Sequence, residues 1–117
     1  MSIMKTEEKK NTDPESEKIL YNVFPDMHRH FNSKDQTIEF EVSLPGVAKE
    51  NIKLKALNGW FNLSAQRGQL GYAANQNWGK EIMPEKTTAK YDNGLLSIKA
   101  YIRNPLNDAK VISLVEA

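Results

Sequence analysis

The chain has no cysteine. That excludes disulfide cross-links, thiolate nucleophiles and thiolate metal sites, and leaves burial and hydrogen bonding to hold the fold. Neither sign of charge is in excess: 16 Lys+Arg against 15 Asp+Glu leave a net charge of +1. Such a chain projects no long-range field to gather nucleic acid or an anionic membrane surface. Long apolar runs are missing too. No segment approaches the roughly 18 consecutive apolar residues of a membrane-spanning helix, and the opening MSIMKTEEKKNTDPESEKIL has charges where a signal peptide has its apolar stretch. A soluble, cytoplasmic protein that binds neither nucleic acid nor membrane is expected. The sequence also lacks a G-x-x-x-x-G-K-[ST] phosphate loop, a G-x-S-x-G elbow and an H-E-x-x-H helix, so neither an enzyme nor a cofactor is expected.

With 117 residues there is material for one core. Composition changes near Tyr21: residues 1–20 are mostly charged or small and are expected to form a mobile N-terminal arm, residues 21–102 the folded domain, and residues 103–117 a hinge and tail. From Thr37 the pattern alternates strictly, with Ile38, Phe40, Val42 and Leu44 on one face and Glu39, Glu41 and Ser43 on the other. This is the pattern of a half-buried strand, and Pro45-Gly46 ends it. Ile52, Leu54 and Ala56 alternate with Lys53 and Lys55; after Asn58-Gly59, Phe61, Leu63 and Ala65 alternate with Trp60, Asn62 and Ser64. The pair predicts a hairpin closed by a type I′ turn with positive φ at both centres. The same device recurs at Asn93-Gly94, followed by Leu96, Ile98 and Ala100 on one face of a strand. No ten-residue window has a helical period. The fold class is therefore all-β, an immunoglobulin-like antiparallel β-sandwich.

Four segments, in order along residues 37–102, resemble one family. AKYDNGLL, with Ala89, Asn93 and Gly94 and then Leu96, is similar to the A-x-x-x-n-G-x-L signature of the α-crystallin domain, the core of the small heat-shock proteins. SLPGVAKENI resembles its L-P-G-v-x-k-e-x-I segment, and WFNLSAQR its L-x-I-x-G-x-R strand with Ala65 in place of Gly. WGKEIMPEKTTAKY resembles its F-x-R-x-f-x-L-P segment, with Trp78 for Phe, Lys80 for Arg and Met83 for Leu. The resemblance implies an ATP-independent holdase that binds partly unfolded client proteins and prevents their aggregation under stress. It also implies self-association, as a dimer and in higher homo-oligomers. In the family, the strand of residues 95–102 and the strand of Ile52 and Leu54 flank a groove for a neighbouring subunit's extended tail. Ile52, Leu54, Leu96 and Ile98 are thereby assigned to a tail- or client-binding groove. VISL near the end places Ile112 and Leu114 two residues apart, on one side of an extended chain. It resembles the family's I-x-I/V motif, which makes these two the oligomer-contact residues and residues 103–110 the hinge.

Two departures stand out. Members from outside animals carry a long loop with an extra strand that crosses to the partner; here residues 67–77 are read as a short loop with at most a small strand at 70–73, leaving Leu70 and Tyr72 as candidate dimer contacts. The arm is also polar where the family's is apolar. His28 and His30 have the i, i+2 spacing of one strand face, but a metal needs a further ligand, so no metal site is assigned. Glu39 and Glu41 are read as the solvated face of a strand. The competing readings are a p23/CS-type co-chaperone sandwich, which lacks both the signature and the tail, and a carbohydrate-binding sandwich using Trp60, Tyr72 and Trp78 as a stacking platform.

Overall fold

The computed structural model describes residues 18–117, so nearly all of the predicted arm lies outside the described residues. Eight strands form two sheets: β1 (Tyr21–Val23), β2 (Met27–Asn32), β3 (Thr37–Ser43), β4 (Ile52–Ala56), β5 (Trp60–Arg67), β6 (Leu70–Asn77), β7 (Thr88–Asp92) and β8 (Leu95–Tyr101). One sheet runs β1-β6-β5-β4 and the other β2-β3-β8-β7. The fold is an all-β sandwich. Among the described residues the only helical pieces are single 3₁₀ turns, and no helix is long and apolar enough to cross a membrane.

The alternation in the sequence builds this architecture directly. Ile38, Phe40 and Val42 of β3, Phe61, Leu63 and Ala65 of β5, and Leu96, Ile98 and Ala100 of β8 all turn inward and are almost completely buried. Between them three aromatic rings meet: Phe40 lies edge-on to Phe61 with centroids 5.2 Å apart and to Trp78 at 5.8 Å, and Phe61 is tilted against Trp78 at 4.8 Å. Such edge-on contacts place positive ring edges against negative faces and add to the burial of apolar area. Burial of Tyr72 and Trp78 removes the stacking platform that a carbohydrate-binding sandwich would have needed.

Two expectations are corrected, and the antiparallel sandwich carries one exception. Residues 67–77 are not a loop: Arg67 ends β5, Gly68 and Gln69 make a tight turn, and β6 pairs with β5 over its full length. Gly68 has φ +59° while Gln69 does not share a positive φ, as a II′ turn with Gly at its first centre requires. Tyr72 of β6 is consequently a core residue, and Leu70 packs half-buried against the core, so neither is held out on a loop for a partner. The Asn58-Gly59 hairpin forms, yet neither residue has positive φ, so the turn is not type I′. Its carbonyls are engaged from outside the hairpin, Gly59 O by the Trp78 N–H at 3.0 Å and Asn58 O by the Ile82 N–H at 2.9 Å, and these bonds fix the backbone in place of local twist. Finally, one pair in the sandwich is parallel: β1 runs alongside β6 in the same direction. The chain passes to the other sheet straight after β1, so no hairpin dictates the direction of that pair.

The second turn matches its expectation. Asn93 and Gly94 have φ of +48° and +80°, and Gly94 O accepts a 2.7 Å bond from the N–H of Leu44. A Cβ at Gly94 would sit 3.3 Å from the Pro45 Cα, so the position combines a left-handed backbone with a close backbone approach. Gly94→Val is expected to lower stability by about 1–3 kcal/mol. Urea or thermal unfolding of the purified variant measures it, and an unchanged midpoint would show that neither constraint matters.

Candidate functional site: an apolar groove between two open edges

β4 ends one sheet and β7 ends the other, each with one side unpaired. On this flank the two edges leave a groove of about 200 Å³ between them, lined by Lys49, Ile52, Leu54, Ala89, Tyr91 and Leu96. The strand period explains which residues line it. Ile52 and Leu54 are the inward set of β4, half-buried because no strand lies beyond them, while Lys53 and Lys55 point to solvent. Ala89 and Tyr91 are the corresponding pair on β7, and Leu96 of β8, 4% exposed, supplies the floor.

Polar contacts fix the groove's wall. The Tyr91 hydroxyl lies 2.8 Å from Leu44 O and 2.7 Å from Val47 O, joining β7 to the loop that leads into β4. With one proton to donate, it bonds one carbonyl at a time. Arg67 reaches the same loop from the far end of β5, donating from Nη1 to Pro45 O at 2.9 Å and lying over Gly46, whose φ is +76°. A Cβ at Gly46 would fall 2.8 Å from the Arg67 Cδ, so the glycine gives the arginine its place.

Of the four groove residues expected from sequence, the structure brings Ile52, Leu54 and Leu96 together. Ile98 is not with them: at 1% exposure it belongs to the core, one pleat further along β8 and paired with Phe40. Lys49, Ala89 and Tyr91 complete the lining. Ala89 and Tyr91 were within reach of sequence reasoning through a period of two on β7, but that strand's few apolar residues hid it.

The tail carries the other half of the expected site. Ile112 and Leu114 are 69% and 94% exposed, on a segment without strand or helix. The hinge before them is more ordered than its composition suggests. Pro105–Asp108 form a 3₁₀ turn, capped by the Asn104 side chain, which accepts from the Leu106 N–H at 3.0 Å. Arg103 pairs with Asp108 and approaches Glu81 at 3.9 Å.

Elsewhere, His28 and His30 stand opposite Glu41 and Glu39 across β2 and β3, around a shallow depression of about 270 Å³. Among the described residues no group of three or more His, Asp or Glu could hold a metal ion. A larger depression of about 500 Å³ follows β7 and β8 past Glu39, Lys90 and Lys99. Ala89 and Ile98 contribute to its lining beside these charged side chains.

No family model matches the sequence, and no curated protein matches it either. Solved structures do match in shape. Heat shock protein 16.0 from Schizosaccharomyces pombe superposes with a TM-score of 0.61 at 18% identity, covering 81% of this chain and 98% of that one. HSP18.5 from E. histolytica gives 0.59 at 13% identity over 79% of this chain and 97% of that one. HspA from Xanthomonas axonopodis gives 0.59 at 14% identity over 69% and 95%. Two four-stranded sheets enclosing the Phe40, Phe61 and Trp78 cluster, in an arrangement that superposes on three heat-shock proteins of such distant sequence, give this chain the fold of the small heat-shock proteins.

Proposed function

We propose that this chain is a small heat-shock protein acting as an ATP-independent holdase, which binds partly unfolded clients and keeps them from aggregating. The observation that carries the reading is the groove between β4 and β7, apolar within and bordered by unpaired strand edges, in a chain that also ends in an exposed Ile112/Leu114 tail. An unfolded polypeptide exposes extended apolar segments. A groove that offers burial to alternate side chains and free backbone groups beside it receives such segments with little regard to sequence. Nothing in that binding needs a chemical step, and the missing phosphate loop agrees with a nucleotide-free cycle.

The same groove suits a neighbour's tail. Burial of Ile112 and Leu114 would contribute about 1.5–3 kcal/mol each before ordering costs. One such contact is weak, and a closed assembly makes many at once.

Two measurements follow. Light scattering of a heated model client should fall in the presence of stoichiometric amounts of the full chain, identically with and without ATP; a client that aggregates at its unassisted rate across temperatures sinks the reading. Replacing Ile112 and Leu114 together by Ala should leave the unfolding transition in place while lowering the mass of any assembly larger than a dimer, read by size-exclusion chromatography with light scattering. A mass equal to wild type would remove the tail from the assembly.

A further inference from the structure

Asn-Gly occurs twice, at 58–59 and 93–94, each time with an exposed asparagine in a hairpin turn. Glycine puts no side chain beside its nitrogen, so in such a pair this nitrogen can close on the asparagine's own Cγ. The fold guards one pair against that reaction. At Asn58 the side-chain Nδ2 donates to Glu81 Oε2 at 3.3 Å, and the carbonyls of Asn58 and Gly59 are pinned by the Ile82 and Trp78 N–H groups. A carboxylate accepting from Nδ2 strengthens that nitrogen's donation into its amide, which makes Cγ a poorer electrophile. Turning Cγ towards the Gly59 nitrogen also breaks the bond to Glu81.

The second pair has no such guard. The Asn93 side chain makes no hydrogen bond among the described residues, and the Gly94 N–H donates to none of them. No polar contact therefore holds the Asn93 side chain away from the Gly94 nitrogen or draws electrons from its leaving group towards Cγ. This same turn is part of the clamp beside the groove. Gly94 O accepts from the Leu44 N–H at 2.7 Å, and the carbonyls of Leu44 and Val47 meet the Tyr91 hydroxyl at 2.8 and 2.7 Å.

We propose that Asn93 is a self-modification site of this chain, losing its side-chain amide through a cyclic imide with Gly94 while Asn58 stays intact. The Gly94 nitrogen gives up its proton to solvent and adds to the Asn93 Cγ. As that C–N bond forms, the Cγ–Nδ2 bond breaks and the amide nitrogen leaves as ammonia, taking a proton from solvent. Water then opens the ring at either carbonyl. Breaking the new bond at Cγ gives Asp; breaking the bond at the backbone carbon leaves the chain running through Cγ, as isoaspartate. Water is the one co-reactant, and nothing is oxidised or reduced. Both products place a carboxylate beside Asp92, but isoaspartate also adds an atom to the main chain of a two-residue turn whose flanks, Asp92 and Leu95, are paired. The lengthened turn cannot keep both that pairing and the Gly94 O bond to Leu44. Formation of isoaspartate thus slackens the loop that holds the Tyr91 wall of the groove.

The test ages the purified full chain in mildly alkaline buffer, where the attacking nitrogen loses its proton more readily, and follows both Asn-Gly sites by mass spectrometry of peptides. Enzymatic carboxyl methylation counts the isoaspartate. Asn93 should convert about fivefold or more faster than Asn58, and Glu81→Ala should speed conversion of Asn58 by about twofold or more while leaving the Asn93 rate alone. Chains carrying isoaspartate at 93 should unfold at lower urea than fresh chains, whereas Asn93→Asp, which keeps the length of the backbone, should retain most of the fresh midpoint. A free peptide of residues 89–97, aged alongside, shows the rate without the fold. Equal conversion at the two sites overturns the proposal, and so does an Asn93 that stays intact while the free peptide converts. An unchanged Asn58 rate in Glu81→Ala, or an isoaspartate form as stable as the fresh chain, likewise counts against it.

Discussion

The sandwich depends on the burial of Trp78. This residue leaves β6 for the other sheet, drops its ring between Phe40 and Phe61, and is fully shielded from solvent. An indole buried there would lose its water without replacement unless its N–H found a partner, and Leu57 O accepts it at 2.9 Å. The Trp78 backbone is satisfied from both sheets: its N–H donates to Gly59 O at 3.0 Å and its carbonyl accepts from Arg29 Nε on β2 at 3.0 Å. Residues 79–83 continue the stitching, with Ile82 N bonded to Asn58 O and Met83 N to Tyr101 O. One crossing segment thereby clamps the two sheets at one end. The loop from Leu44 to Val47 does the same at the other end, through Gly94 O, the Tyr91 hydroxyl and Arg67. With both ends closed, the β4 and β7 edges stand apart without a strand between them, and the groove is what remains.

How much of this the sequence disclosed depends on which force shapes each element. β3, β4, β5 and β8 are legible because their inward and outward positions differ in hydrophobicity at a period of two, and a one-residue slip would turn Phe40 or Leu63 out to solvent. β2 is not, because its inward residues are Met27, Arg29 and Phe31; an arginine serves at an edge where its guanidinium can leave the core and bond Trp78 O. β6 is hidden by small and amide residues, with only Tyr72 and Ala74 marking its buried face. The two Asn-Gly turns separate local from tertiary control. Asn93-Gly94 follows local twist, whereas Asn58-Gly59 gives up its expected geometry to donors on residues 78–82. Nothing within the hairpin's own sequence announces those donors.

The groove itself was legible in part for the same reason. Ile52, Leu54 and Leu96 follow from alternation plus the resemblance, but periodicity cannot tell how deep along β8 the facing sheet closes. That depth decides that Leu96 is floor and Ile98 is core.

The lining also bears on the shape of what the proposed groove would receive. Ile52 and Leu54 on one wall and Ala89 and Tyr91 on the other repeat every second residue, a spacing of about 6.6–6.8 Å along a strand. A helix presents neighbours on one face at three and four residues, about 5–6 Å apart, and its diameter of about 10 Å or more would overfill a space of this volume. An extended chain presents every second side chain at the same repeat as the walls, while its backbone can reach the free groups of β4 or β7. Ile112 and Leu114 have that spacing, and Ser113 between them would face outward. Ala89 lines the groove with only a methyl, so a larger side chain at this position would take up part of its volume.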